Sequence, residues 1–183
     1  MKIAAICIAL LVAVVSLAQN PADDPGGWTI AKWGMTQDQI KAAFPDATQV
    51  RFLREVRLGL PAYVIGPRKF VVAFGFDASG GLQDVSLFDE FTAEGMRQFT
   101  ETQRISAIPG FATRIGDVKD DLLSSLTAKY GNFSDHAITE KGTQDDWSWL
   151  LPGTTIKLNW RHAGDSLDGA HLYYKVRKKS SDL

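Results

Sequence analysis

Thr155–Arg161 alternates strictly: Ile156, Leu158 and Trp160 are apolar, while Thr155, Lys157, Asn159 and Arg161 are polar. Ala170–Arg177 does the same, with Ala170, Leu172, Tyr174 and Val176 set against His171, Tyr173, Lys175 and Arg177. A period of two marks a strand with one buried face. Phe70, Val72, Phe74 and Phe76 alternate with Val71, Ala73 and Gly75, and Leu82, Val85 and Leu87 follow after a turn-rich joint, Asp77–Gly81. Shorter strands are predicted around Tyr63 and Ile65 and around Trp147 and Trp149, and weaker ones over Gln49–Leu58 and Ser134–Glu140. Elsewhere the period changes. Ile40 and Phe44, and later Leu122 and Leu126, stand four apart, which predicts two amphipathic helices. Thr36 is placed to cap the first, Pro45 stops it, and Gly131 ends the second.

These patterns recur in order. The motif of Gly, five residues, apolar, three residues, apolar runs from Gly34 to Phe44 and again from Gly116 to Leu126, 82 positions later. Tyr63 and Ile65 match Trp147 and Trp149, and Val72, Phe74 and Phe76 match Ile156, Leu158 and Trp160, at an offset of 84. The expected fold is therefore α+β: a tandem repeat of a helix followed by a four-stranded antiparallel sheet, helices on one face and an open sheet on the other. The first repeat spans 28–90, a helical connector 91–109 and the second repeat 110–178, with a tail over 179–183; the connector's stripe is Met96 and Phe99. This arrangement resembles the β-lactamase inhibitor protein fold. The entry Trp33-Gly34-Met35-Thr36-Gln37-Asp38-Gln39-Ile40 also resembles the start of the small outer-membrane assembly lipoproteins, and Phe74-Gly75-Phe76-Asp77 to Gly80-Gly81-Leu82 resembles a hairpin of exported bacterial proteins. The resemblance implies a fold more than a function. The chain departs from the lipoproteins in having no lipid-attachment Cys, and from the inhibitors in having no disulfide pair.

The N-terminus reads differently from the rest. After Met1 and Lys2, the run Ile3–Leu17 is apolar apart from Cys7 and Ser16, and Ser16-Leu17-Ala18 sets small residues at −3 and −1. As a helix it spans about 22 Å, too short for a bilayer core. It is read as a signal peptide over 1–18, and the product as exported, to the periplasm or the medium. Residues 19–27, rich in Pro, Gly and Asp, are read as a flexible tether.

Composition narrows the possible chemistry. The single Cys, Cys7, lies in the leader, which excludes a disulfide scaffold and thiolate chemistry in the exported part. With 20 basic against 21 acidic residues the chain has no bulk reason to bind nucleic acid. No nucleophile elbow, phosphate loop or dinucleotide fingerprint is present, and no cofactor is expected. His162 and His171 flank a turn with Asp165 and Asp168, but their strand parities point them to opposite sides, which argues against a shared metal. The acidic neighbours Asp120-Asp121 and Asp145-Asp146 each split across two faces, and Asp117 and Asp120 suit a first helical turn.

Strand parity then defines a surface. If the even positions of the last two strands pack under the helices, Lys157, Asn159, Arg161, His171, Tyr173, Lys175 and Arg177 form a basic outer face. On the first half Val71, Ala73 and Phe88, beside Ser86, form a small apolar one. The leading expectation is a non-enzymatic exported or envelope-associated protein that binds another protein or envelope component there. The alternatives are a small metal-assisted hydrolase using His162 or His171 with Asp165 or Asp168, and a carrier of a small apolar ligand between sheet and helices.

Overall fold

The computed structural model describes residues 24–52, 55–66, 68–89, 111–139, 142–161 and 169–177, with backbone only for 111–115. The predicted signal peptide, the first part of the predicted tether, the predicted connector's Met96 and Phe99, the expected His162–Asp168 turn and the expected tail lie outside them.

Local chemistry starts each element where the side chains require. Two short strands, β1 (Gly27–Trp28) and β2 (Ala31–Lys32), pair as a ribbon. Helix α1 (Gln37–Ala43) opens with a reciprocal capping box: the Gln39 N–H donates to Thr36 Oγ1, and the Thr36 N–H donates to Gln39 Oε1 at 2.8 Å. It ends after two turns, ahead of Pro45, and buries Ile40 completely, which contributes about 2 kcal/mol. Then come β3 (Thr48–Phe52), β4 (Glu55–Ile65), β5 (Arg68–Phe76) and β6 (Leu82–Asp89). Helix α2 (Phe111–Tyr130) is followed by β7 (Asp135–Thr139), β8 (Gln144–Leu150), β9 (Thr154–Arg161) and β10 (Gly169–Val176). Gly131, at φ 79°, closes α2 in a conformation that costs a residue with a side chain energy.

The expected tandem of helix-plus-four-strand units is corrected here. The protein is mostly β, with α1 and α2 its only helices among the described residues. The eight longer strands form one antiparallel sheet, ordered β3-β4-β5-β6-β10-β9-β8-β7. The joint is β6 against β10, where Phe88 faces His171 and Ser86 faces Tyr173 in continuous register. A boundary there would leave two edges with unpaired N–H and C=O groups; pairing them fuses the sheet. The main apolar core spans both halves of this sheet, running from Trp28, Ile40 and Phe74 to Leu126, Trp149 and Leu158.

Two further expectations change. Gln49–Leu58 is not one strand but the β3–β4 hairpin. Strand β4 runs to Ile65 because a bulge between Leu60 and Tyr63, holding Pro61, lets it continue without a donor at that residue. Helix α2 begins at Phe111, so Asp117 and Asp120 lie beyond its first turn. Asp120 instead meets Lys119 at 2.7 Å, and Asp121 meets Arg68 at 2.7 Å.

Candidate functional site

The face that strand parity singled out is contiguous, but its centre is not open. Adjacent pairing aligns Val71 with Phe88, Phe88 with His171 and His171 with Asn159, and aligns Ala73, Ser86, Tyr173 and Lys157 in the next row. Val71, Ala73, Phe88 and His171 are buried. With Val50 and Phe52 of β3 the first three make a second apolar core. Phe52 and Phe88 pack at 4.6 Å between ring centroids, and Phe88 meets the His171 ring edge-on at 5.0 Å.

The polar half carries an acid among its bases. Asp146, on β8, is buried there: it takes the Lys157 ammonium at 2.7 Å and hydrogen bonds from the Asn159 and Gln144 side-chain amides. Arg57 pairs with Glu55 at 2.8 Å and Asp84 at 3.4 Å, and lies 4.4 Å over the Phe52 ring. Asp146 and Asp84 come from β8 and β6, the strands flanking the two whose alternation suggested a positive face, and Glu55 from β4. Arg161 is half-buried and Lys175 exposed. Arg177 is bound to the β8–β9 turn through Leu151 O at 3.0 Å and Gly153 O at 2.9 Å, away from the group.

His171 is the most perturbed group on this face. Its Nδ1 lies 3.2 Å from the Tyr173 hydroxyl, and its Nε2 is buried without a hydrogen-bond partner. Burial, reinforced by the Arg161 charge, pushes the imidazole down to about 4. Burial and the Asp146 carboxylate push the Tyr173 phenol up to about 12, against the opposing effect of Arg57. At neutral pH both groups are uncharged. His136, exposed on β7, stacks its ring 4.8 Å from Trp147, and its Nε2 lies 3.0 Å from Asp145.

The opposite face carries the more receptive geometry. Helix α2 lies over β9 and β10, whereas α1, only seven residues or about 10 Å long, cannot cover the β4 side. Trp28 of the β1–β2 ribbon fills part of the remainder, packing on Tyr63 at 4.8 Å, Phe44 at 5.9 Å and Phe74 at 6.1 Å. What is left is a cleft of about 600 Å³ between the ribbon, the end of β4, β10 and α2. Its walls are Trp28, Val64, Ile65, Leu122, Leu126 and Leu172, with the phenols of Tyr63, Tyr130 and Tyr174 among them. Tyr174 is hydrogen-bonded to Tyr130, and burial first, then that neighbour, pushes its phenol well above the ordinary range. A smaller cavity of about 300 Å³ shares Ile65, Leu122 and Ser125 and continues the groove toward the Arg68–Asp121 pair.

One wall of the cleft is the end of the predicted tether, which is docked rather than loose. Asp24 accepts the Thr154 hydroxyl at 2.7 Å, the Gly26 N–H at 2.9 Å and the Gly153 N–H, while Trp33 Nε1 donates to Thr154 Oγ1 at 3.0 Å. Burial works to raise the Asp24 carboxyl, yet these hydrogen bonds outweigh it and hold the group below its ordinary value. The cleft was missed because it gathers residues 24–32, 63–65, 122–130 and 172–174, which no local period links. A compositional signal did exist: three of the four tyrosines converge on it.

Among the described residues no cluster of three or more metal-ligating side chains forms, and no helix is long and apolar enough to cross a membrane. No protein-family model matches the chain, and no curated protein does. Among solved structures it is similar to a DUF4309 family protein, YjgB, from Bacillus subtilis, with 78% of each chain covered, 11% identity and a TM-score of 0.41. A likeness of that strength assigns the chain to no family and lends it no function.

Proposed function

We propose that this chain is an exported, non-enzymatic binding protein that holds a small, largely apolar ligand between α2, the β1–β2 ribbon and β4. The cleft itself carries the reading. It is preformed, its volume lies within the roughly 300–1,000 Å³ range of small-molecule sites, and its walls are aromatic and aliphatic with a few converging hydroxyls. The hydroxyls favour binding over catalysis, because a phenol held as firmly protonated as Tyr174 offers a hydrogen bond rather than a base. Export is supported by the leader pattern of residues 1–18. The sheet face is the weaker candidate, since its apolar residues pack against Val50 and Phe52 of β3 and its Lys157 and Asn159 are already bound to Asp146.

The test is titration with the neutral fluorescent dye N-phenyl-1-naphthylamine. The protein should bind one equivalent with dye enhancement. Ser125→Trp, at an exposed position on the cleft wall, should abolish this while leaving the thermal midpoint unchanged. Absence of dye binding, or equal binding by the variant, rejects the cleft as the site.

A further inference from the structure

We infer that the ligand is a single-chain amphiphile with an acidic head, seated with its chain against Leu122, Leu126 and Leu172 and its head between Lys32 and Lys129. The inference rests on the cleft reading and adds polarity to it. Two ammonium groups and one carboxylate line the cleft. The carboxylate, Asp24, is already engaged by the Thr154 hydroxyl and the Gly26 and Gly153 N–H groups. The lysines are not so engaged: Lys32 Nζ makes one bond, 2.9 Å to Pro25 O, and Lys129 Nζ lies 5.1 Å over the Tyr130 ring. An ammonium offers three donors, so each retains capacity for an anion. Lysine stems also lie readily along apolar walls while the charge stays in water, which suits the border between a chain and its head.

The mouth fits such a ligand as well. Tyr63 and Ile65, only partly buried, keep apolar surface on the cleft wall. A purely polar ligand gains nothing from these side chains. A purely apolar one gains nothing from the lysines. An amphiphile uses both.

Dye displacement at neutral pH and low salt separates the possibilities, using decanoate, decanol and decyltrimethylammonium as probes. Decanoate should displace N-phenyl-1-naphthylamine at about fivefold lower concentration than decanol, the advantage that two partly exposed ion pairs supply, and the cationic probe should be weakest. The Lys32→Gln/Lys129→Gln double variant should bind the dye as before and lose the preference for decanoate, whereas Lys129→Arg should keep it. Equal potency of decanoate and decanol, or an unchanged preference in the double variant, overturns the acidic head while leaving the cleft standing. Failure of the dye to bind at all overturns the cleft reading and this inference with it.

Discussion

Acidification should destabilise this protein well before its carboxylates titrate, and His171 is the reason. The imidazole is buried with Nε2 unbonded, beside Phe88 and the Arg161 charge, and is held at about 4 against an ordinary 6.5. A folded-state value below the unfolded one means that the unfolded chain binds the extra proton first. Stability is therefore complete above about pH 6.5 and drains away as the pH falls toward 4. The gap of 2.5 units corresponds to about 3 kcal/mol in full, of which about 2 kcal/mol should be lost between pH 7 and pH 5. Domains of this size are stable by about 5–15 kcal/mol, so the loss is measurable. The perturbation is His171→Leu, similar in volume and not titratable. Urea unfolding at pH 7, 6 and 5 should show the parent losing about 2 kcal/mol more than the variant. The variant should also be weaker at pH 7 by about 1 kcal/mol, because the Tyr173 hydroxyl loses its partner. Parallel pH profiles for the two proteins would refute the argument, since His136 and the carboxylates are common to both.

Two substitutions test how the end of the N-terminal segment and strand β4 are held. Asp24→Ala removes three acceptor bonds and should cost about 2 kcal/mol in urea unfolding at pH 7. The parent's advantage should vanish as the pH falls through the depressed carboxyl value, below 3.8, because the protonated group no longer clasps the turn. Gly59→Ala places a methyl group against the Val72 carbonyl oxygen and Val50 Cγ2, where β4 approaches β5. It should lower stability by at least about 2 kcal/mol, read as a fall in the urea midpoint.

The strand periods were a reliable guide to register and a poor one to exposure. Ile156, Leu158, Leu172 and Tyr174 alternate inward in the sequence and are buried under α2 in the structure, because a period of two follows from the pleat itself. The same rule sent His171 outward correctly but could not show that Phe88, Val71 and the β3 hairpin lie beside it. Alternation in β9 and β10 alone likewise concealed Asp146, which neutralises Lys157 from the neighbouring strand β8. At Pro61 the period itself breaks, since the bulge puts Leu60 and Tyr63 on one face. The matched segments were read as two sheets because an offset of 84 carries no information about which edges meet; pairing of β6 with β10 is a tertiary fact. The cleft is hidden most deeply, because it gathers the ribbon, the end of β4, β10 and α2 from four distant parts of the chain.

The central claim is that the functional surface is the cleft under α2 and not the opposite sheet face. Methyl-detected NMR during titration with N-phenyl-1-naphthylamine addresses it directly, because the two faces carry different methyl groups. The cleft predicts saturable shifts at Ile65, Leu122, Leu126 and Leu172, with Val50 and Val71 of the second core unmoved. Shifts confined to Val50 and Val71, or no saturable shifts at the four cleft residues, would contradict it.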